Sequence, residues 1–311
     1  MFSLRDFFHL PQLDVWVEQL SAGEPGLAVV AGLDSRPGAL SPADRPLPSG
    51  LLPSGRSAIF SILIGQALTR RPAANCLVIA QDPQAVRVPR QFRKRMRVLS
   101  VDPPFSYAGR IEAAIDSPPE LLVLDRLNQE TVGLALQAAA QGLFVLAPLD
   151  TIFYGSEVAR HLLDLGAPAD RLAALRWVIS VQRLSTLCPH CKRPSQPTQA
   201  QVSQLRSHPL LHSNLDSLQD LVSALSNPQS LQVFQSTGCS HCHSSGRQGE
   251  AAVFDVFYNP AQTAENPDLL SLASVLPVEA YVGRLALLGY LSLEDFLDFN
   301  AEQFRRVGHT L

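Results

Sequence analysis

The sequence predicts an α/β protein with a mostly parallel sheet, a tetracysteine module late in the chain and helices that close it. Three observations predict it. Short aliphatic runs alternate with segments of helical spacing over residues 27–147. Two Cys-x-x-Cys pairs follow, Cys188/Cys191 and Cys239/Cys242. Apolar residues then recur at helical spacing between Glu279 and Phe299. At 311 residues the chain is long enough for one large α/β unit with an appended subdomain, and 46% hydrophobic with 17% charged residues is the composition of a chain that buries a core.

The elements are expected in the following order. Leu4 to Leu20 is an amphipathic lead-in, and Leu27 to Ala31 (LAVVA) is a buried strand after the breakers Gly23, Pro25 and Gly26. A loop rich in Pro, Gly and Ser covers about 32–55, and Ser57 to Arg70 has helical spacing. Cys76 to Ala80 and Arg97 to Val101 are strands, Tyr107 to Asp116 a helix, Leu121 to Asp125 a buried strand, Glu130 to Gln141 a helix and Leu143 to Ala147 a strand. This alternation implies a parallel sheet covered on both faces. Two helices are then expected, Ser156 to Leu165 and Pro168 to Leu184, the second opening on a proline. Residues 194–235 read as a helical insertion between the cysteine pairs, Val253 to Phe257 as a strand, and Glu279 to Phe299 as two short helices. The expected domains are a core over 1–186, a tetracysteine subdomain over 187–258 and a helical segment over 259–311.

A net charge of −3 points to no polyanionic partner overall. One cluster departs from that average: Arg87, Arg90, Arg93, Lys94, Arg95 and Arg97 take six of the 25 basic residues. Such a run is ordinarily a solvated edge, with anionic lipid headgroups or an acidic neighbouring subunit as the alternative contacts. Phe92 is its only aromatic, so a specific nucleic-acid partner is not expected. The N-terminus carries Arg5, Asp6 and Asp14 and does not read as a signal peptide; the most apolar stretch, Leu134 to Leu149, is too short and too interrupted to span a bilayer. A cytoplasmic protein is expected, with peripheral contact to the inner membrane as a further option.

Two Cys-x-x-Cys knuckles can aim four thiolates at one structural zinc ion, and an insertion between knuckles lengthens the loop without altering the site. Redox dithiols or disulfides are the alternatives, disfavoured by a reducing compartment. His190, His241 and His243 are substitute ligands, and Cys76 reads as a small buried apolar residue.

The run Pro119-Glu120-Leu-Leu-Val-Leu-Asp125, then Glu130-Thr131, Gln137-Ala138-Ala139, Gly142 and Leu146-Ala147-Pro148-Leu149-Asp150-Thr151, resembles the Walker B to His-box stretch of the ATPases that drive type II secretion and type IV pilus assembly. Leu163 to Gly166, Gln182-Arg183-Leu184, both cysteine pairs, Gly246, Gly249 and Val253 to Asp255 keep that family's order. The resemblance implies a RecA-like P-loop core, ATP with magnesium, a hexameric ring, and partners in an inner-membrane platform, other subunits of a secretion or pilus machine and a full-length ATPase homologue. Only residues 1–26 precede the first expected strand, where the family carries a further domain, so a stable hexamer is not expected of this chain alone.

Set against the family pattern, the nucleotide motifs are eroded. The best P-loop match is Gly50-Leu-Leu-Pro-Ser-Gly55-Arg56-Ser57, separated from its strand by an insertion and carrying Arg56 for lysine. Gly50, Gly55, Arg56 and Ser57 are the candidate nucleotide-binding residues, Ser57 as a magnesium contact; a plain helix start after a loop is the alternative. Asp102 and Asp125 are the candidate catalytic acids, in the positions of the Asp box and Walker B. Val101 and Phe105 stand where further acids belong, Leu127 replaces an arginine, and Asp150 replaces the His-box histidine. Phosphoryl transfer depends on positioned charge, so the pattern predicts a pseudo-ATPase that docks on or regulates its machine, with an active ATP-hydrolysing motor as the alternative.

Overall fold

The computed structural model of the chain describes residues 12–34, 52–82, 86, 88, 90–212, 222–223, 226–227, 231–260 and 269–299. The expected lead-in over 4–11, most of the Pro-rich loop including Gly50, and Arg87 lie outside the described residues.

Helix α1 (Gln12–Ser21) leads into β1 (Gly26–Gly32), whose seven residues are all buried. Then come α2 (Arg56–Arg70), β2 (Cys76–Ala80) and β3 (Met96–Ser100), the last preceded by a 3₁₀ turn over Arg90–Arg95. Next are α3 (Tyr107–Asp116), β4 (Leu121–Leu124), α4 (Val132–Ala140), β5 (Phe144–Asp150), α5 (Ser156–Asp164) and β6 (Leu175–Leu187). The chain continues through β7 (Lys192–Ser195), α6 (Gln199–Ser207), β8 (Val233–Ser236), β9 (Arg247–Tyr258), α7 (Val278–Leu287) and α8 (Leu293–Leu297).

Seven strands form one sheet in the order β3-β2-β4-β5-β1-β6-β9, parallel throughout except for β9, which runs antiparallel to β6. Strand residues alternate between the two faces, as a pleat demands. Ala28 and Val30 of β1 face α2, where Ile59, Leu63, Ile64 and Leu68 cover them; Leu27, Val29 and Ala31 face the side covered by α3, α4 and α5. The chain therefore leaves β1 toward one face and β5 toward the other. The crevice between the carboxyl ends of these two neighbours is a topological switch point, where ligand sites of α/β sheets form.

The helix expected over Pro168 to Leu184 is corrected. Only Ala169–Ala174 makes a 3₁₀ turn, and β6 begins at Leu175. Trp177, Val178, Ile179 and Val181 are buried on both faces of the sheet, so a continuous β-branched and aromatic run suits a central strand and leaves no polar face for a helix.

β6 and β9 extend past the core, and the cysteine knuckles project from their ends with the small β7–β8 ribbon. The closing helices hold this extension. Leu187 donates its amide to the Tyr290 carbonyl at 2.8 Å, Lys192 Nζ reaches the Gly289 carbonyl at 2.7 Å, and Arg247 grips Asp295 bidentately at 2.6 and 2.8 Å. Among the described residues no helix is long and apolar enough to cross a membrane.

Candidate nucleotide cleft and candidate metal centre

After Asp34 the chain departs, and it returns so that the Ser54 amide donates to the Leu33 carbonyl at 3.1 Å. The two ends of the insertion thereby meet. Although the insertion parts the P-loop match from its strand in sequence, α2 starts at the carboxyl end of β1. Its first amides have no partner within the helix and point into the crevice. Gly55 precedes the helix at φ +82°, a left-handed conformation that glycine adopts freely and that costs other residues about 1 kcal/mol.

The donors of this cradle are already engaged, by Asp34. Its Oδ1 accepts from the Gly55 amide at 2.7 Å and the Ser54 hydroxyl at 2.8 Å; its Oδ2 accepts from the Ser57 hydroxyl at 2.7 Å and the Ser57 amide at 3.0 Å. Burial pushes this carboxyl up, but the Ser57 amide and hydroxyl, the Ser54 hydroxyl and the Arg56 charge together hold it below the ordinary carboxylate range. In the sequence Asp34 falls in the expected Pro-rich loop. The one signal for it was an acid two residues beyond the last glycine of a buried strand.

Arg56 does not face the cradle. Its Nη1 pairs with Asp150 Oδ1 at 2.5 Å and reaches the Gly32 carbonyl at 3.3 Å. The residue standing for the lysine and the residue standing for the histidine thus neutralise one another across the crevice, from α2 to the end of β5. A second cation, Arg183, lies against Gly55, with Nη2 3.0 Å from where a Cβ there would stand, and is paired with Glu250 at 3.0 Å.

Asp125 follows β4, one strand beyond β5 from the cradle. Its carboxylate accepts from Tyr107 Oη at 2.6 Å, the Gln81 amide at 2.9 Å and Arg126 Nη2 at 3.3 Å, and its side chain is 1% exposed. The phenol of Tyr107 is pushed up by burial and by this carboxylate. Asp102 follows β3 at the sheet edge, four strand spacings or about 19 Å from β1, and takes its hydrogen bond from its neighbour Ser100. Phe105 is exposed beneath the Arg110 guanidinium, 3.8 Å from its ring centroid, and Leu127 is buried. Gly55 and Ser57 meet at the cradle with Asp34; Arg56 meets Asp150 beside it; Asp125 stands apart with partners of its own, and Asp102 farther still.

Cys188, Cys191, Cys239 and Cys242 gather at the knuckle tips, with all four Sγ atoms within 4.8 Å of one another. The separations Cys188–Cys239, Cys191–Cys242 and Cys239–Cys242 are 3.9, 3.8 and 3.7 Å. These are too long for disulfides. They match the ~3.8 Å edge of a tetrahedron of thiolates ~2.3 Å from a central ion, so the four cysteines fit a metal. Gly238, at φ +86°, lets the second knuckle fold back, since a Cβ there would stand 2.6 Å from the Ser244 carbonyl oxygen. His190 and His241 stack at 4.1 Å between centroids. Cys76 is buried in β2 and belongs to the core.

The type II/IV secretion system protein family model matches residues 104–267, just over half of the chain. The chain belongs to that family. Family members similar to it include the type IV pilus assembly ATPase TfpB of Acinetobacter baylyi, 29% identical over 151 residues that make up 48% of this chain and 23% of that protein. The type II secretion system protein HxcR of Pseudomonas aeruginosa is 28% identical over 170 residues, 51% of this chain and 35% of its own. The matches thus span about a quarter to a third of these relatives. Among solved structures, the pilus retraction motor PilT with bound ADP superposes over 98% of this chain and 69% of its own with TM-score 0.54 at 14% identity. The Yersinia pseudotuberculosis ATPase DotB covers 100% and 63% with TM-score 0.52 at 15% identity. At such identities the likeness is one of fold, and the fold is RecA-like. The family match spans Asp125 and the four cysteines but begins after the cradle, whose correspondence rests on the fold.

Proposed function

We propose that the chain is a non-hydrolysing member of the secretion ATPase family, a subunit that docks on or regulates a type II secretion or type IV pilus machine. The observation that carries this is the 2.5 Å Arg56–Asp150 ion pair: the cation expected to hold a terminal phosphate is committed to a carboxylate of its own chain. Residues 1–186 form the degenerate motor core in this proposal, 187–258 the zinc module and 259–311 the closing helices. Zinc is structural here, because four protein thiolates leave no open position for chemistry. An inner-membrane platform and a complete ATPase of the family are the partners it would take, at the cytoplasmic face of the membrane.

The test is phosphate release in the presence of magnesium and ATP, alone and with those partners, using Asp125→Ala as the contamination control. Release at the level of the control is expected. Turnover well above it, abolished in Asp125→Ala, would establish the second reading, an active motor, which the preserved strand-to-helix cradle and Asp125 favour.

A further inference from the structure

We propose that Asp34 is a built-in ligand of the phosphate cradle, a side-chain carboxylate that occupies the place of a nucleotide phosphate and keeps nucleoside triphosphates out of this cleft. The proposal deepens the non-hydrolysing assignment and rests on the cleft being the degenerate nucleotide site of the family.

The argument begins with the donors. Two backbone amides and two hydroxyls converge from the start of α2, and the carboxylate satisfies them two to each oxygen, at 2.7–3.0 Å. This is the task a phosphate performs at such a helix start, performed here by an anion of the same chain. A tethered carboxylate binds without the loss of translational freedom that a free ligand bears, so it holds a standing advantage over one.

Charge points the same way. Among the described residues, the cations Arg56 and Arg183 beside the cradle each have a carboxylate partner, Asp150 and Glu250. Arg126 beyond them is likewise paired, with Asp125, so among the described residues Asp34 is the acid in excess and their charge opposes an incoming triphosphate. A phosphate entering beside Asp34 would set two anions within hydrogen-bond distance, which like-charge repulsion opposes. It can enter only by displacing Asp34 and taking over all four of its hydrogen bonds.

The experiment follows the thermal midpoint of the full chain with inorganic phosphate, with magnesium and ATP, and with chloride at matched ionic strength. Wild type should show no shift specific to phosphate or ATP. Asp34→Ala should melt about 3 °C lower, having lost the ligand of its helix start. About 20 mM phosphate, but not chloride, should restore most of that loss, because an anion that binds only the folded state stabilises it. By calorimetry the variant should bind phosphate at least roughly tenfold more tightly than wild type. Should Asp34→Ala not fold, Asp34→Asn gives the same readout, since it keeps the shape of the side chain and removes its charge.

Wild type that binds ATP or phosphate as tightly as either variant overturns the proposal, as does a variant whose stability phosphate does not rescue. The two assignments fail separately. Wild type that binds ATP without hydrolysing it defeats the internal ligand and leaves the non-hydrolysing assignment intact. An Asp34 variant that gains both phosphate binding and turnover upholds the internal ligand and shows that the remaining residues can still do the chemistry.

Discussion

Arg56 and Asp150 stand where the family resemblance implies a phosphate-binding lysine and a histidine, and each supplies the charge its partner requires. Reverting one is therefore not a step back toward a motor. Lysine at position 56 would pair with Asp150 just as arginine does, so Arg56→Lys is expected to leave phosphate release at background. Loss of one preorganised charge-stabilising group already costs about a hundredfold or more in rate, and Val101 and Phe105 remain apolar where acids belong. Asp150→Asn should cost at most about 1 kcal/mol in urea unfolding, because Asp150 is 42% exposed to solvent screening and burial, which pushes its carboxyl up, opposes the pull of Arg56. The substitutions at 56, 101, 105 and 150 were all legible in the sequence as departures from a pattern. That the first and last of them face each other was not legible, because 94 residues separate them and only the adjacency of β1 and β5 brings them together. Asp34 was harder still. Its role exists only once Ser54, far along the chain, closes on Leu33.

Among the elements, the short aliphatic strands β1, β2, β4 and β5 were legible as apolar runs between breakers, whereas β6 was not, nor were β7 and β8 at the two ends of the stretch expected to be helical. Pro168 and the 3₁₀ turn Ala169–Ala174 ahead of β6 imitate a helix start, and no breaker separates them from the strand, so the two merge into one long run. The cysteine pairs were the easiest element to read, since spacing alone specifies the knuckles. Their prediction is direct: Cys188→Ser or Cys239→Ser should lose zinc that wild type holds at one ion per chain, by elemental analysis of protein prepared without chelator. Structural zinc contributes its binding energy to folding, so β7 and β8 should become accessible to protease in those variants. Leu187, Lys192 and Arg247 tie the knuckle base to residues 289–295, so the loss of protection should spread to α7 and α8 before it reaches the parallel strands. Wild type without stoichiometric metal would rule out the zinc assignment.

Across the whole molecule, Asp255 joins the sheet to the closing helices and makes their union depend on pH. It is 3% exposed, on β9, and accepts from Ser274 Oγ at 2.7 Å and from the Val278 amide at 3.1 Å where α7 begins. Burial pushes its carboxyl up to about 7, with Glu279 adding to the rise and those two donors opposing it. The folded state thus holds a proton that the unfolded chain, titrating near 3.8, releases. Stability from this group is complete below about pH 4 and is lost as pH rises to about 7. Urea unfolding at pH 5 and pH 7.5 should differ more in wild type than in Asp255→Asn, by about 2–4 kcal/mol. Comparing the two proteins cancels every other group that titrates in that window, and equal pH dependence would remove Asp255 as the cause.

The two ends of the sheet are finished differently. β9 is bridged by Leu276 along its outer side, whereas among the described residues β3 has no strand beyond it, and Val98 is 45% exposed. Arg90, Arg93, Lys94 and Arg97 stand exposed on and beside that open strand; Arg95 instead turns inward to the carbonyls of Leu68, Arg71 and Ala74. Two copies approaching edge to edge would bring Arg97 and the cations of the turn before it against their own kind, which is how natural sheets keep an edge strand from recruiting another. Such a barrier is only as long as the reach of its field. At 1 M salt, where that reach shrinks to about 3 Å, the same surface becomes a candidate for self-association, and the chain should be most soluble in dilute buffer.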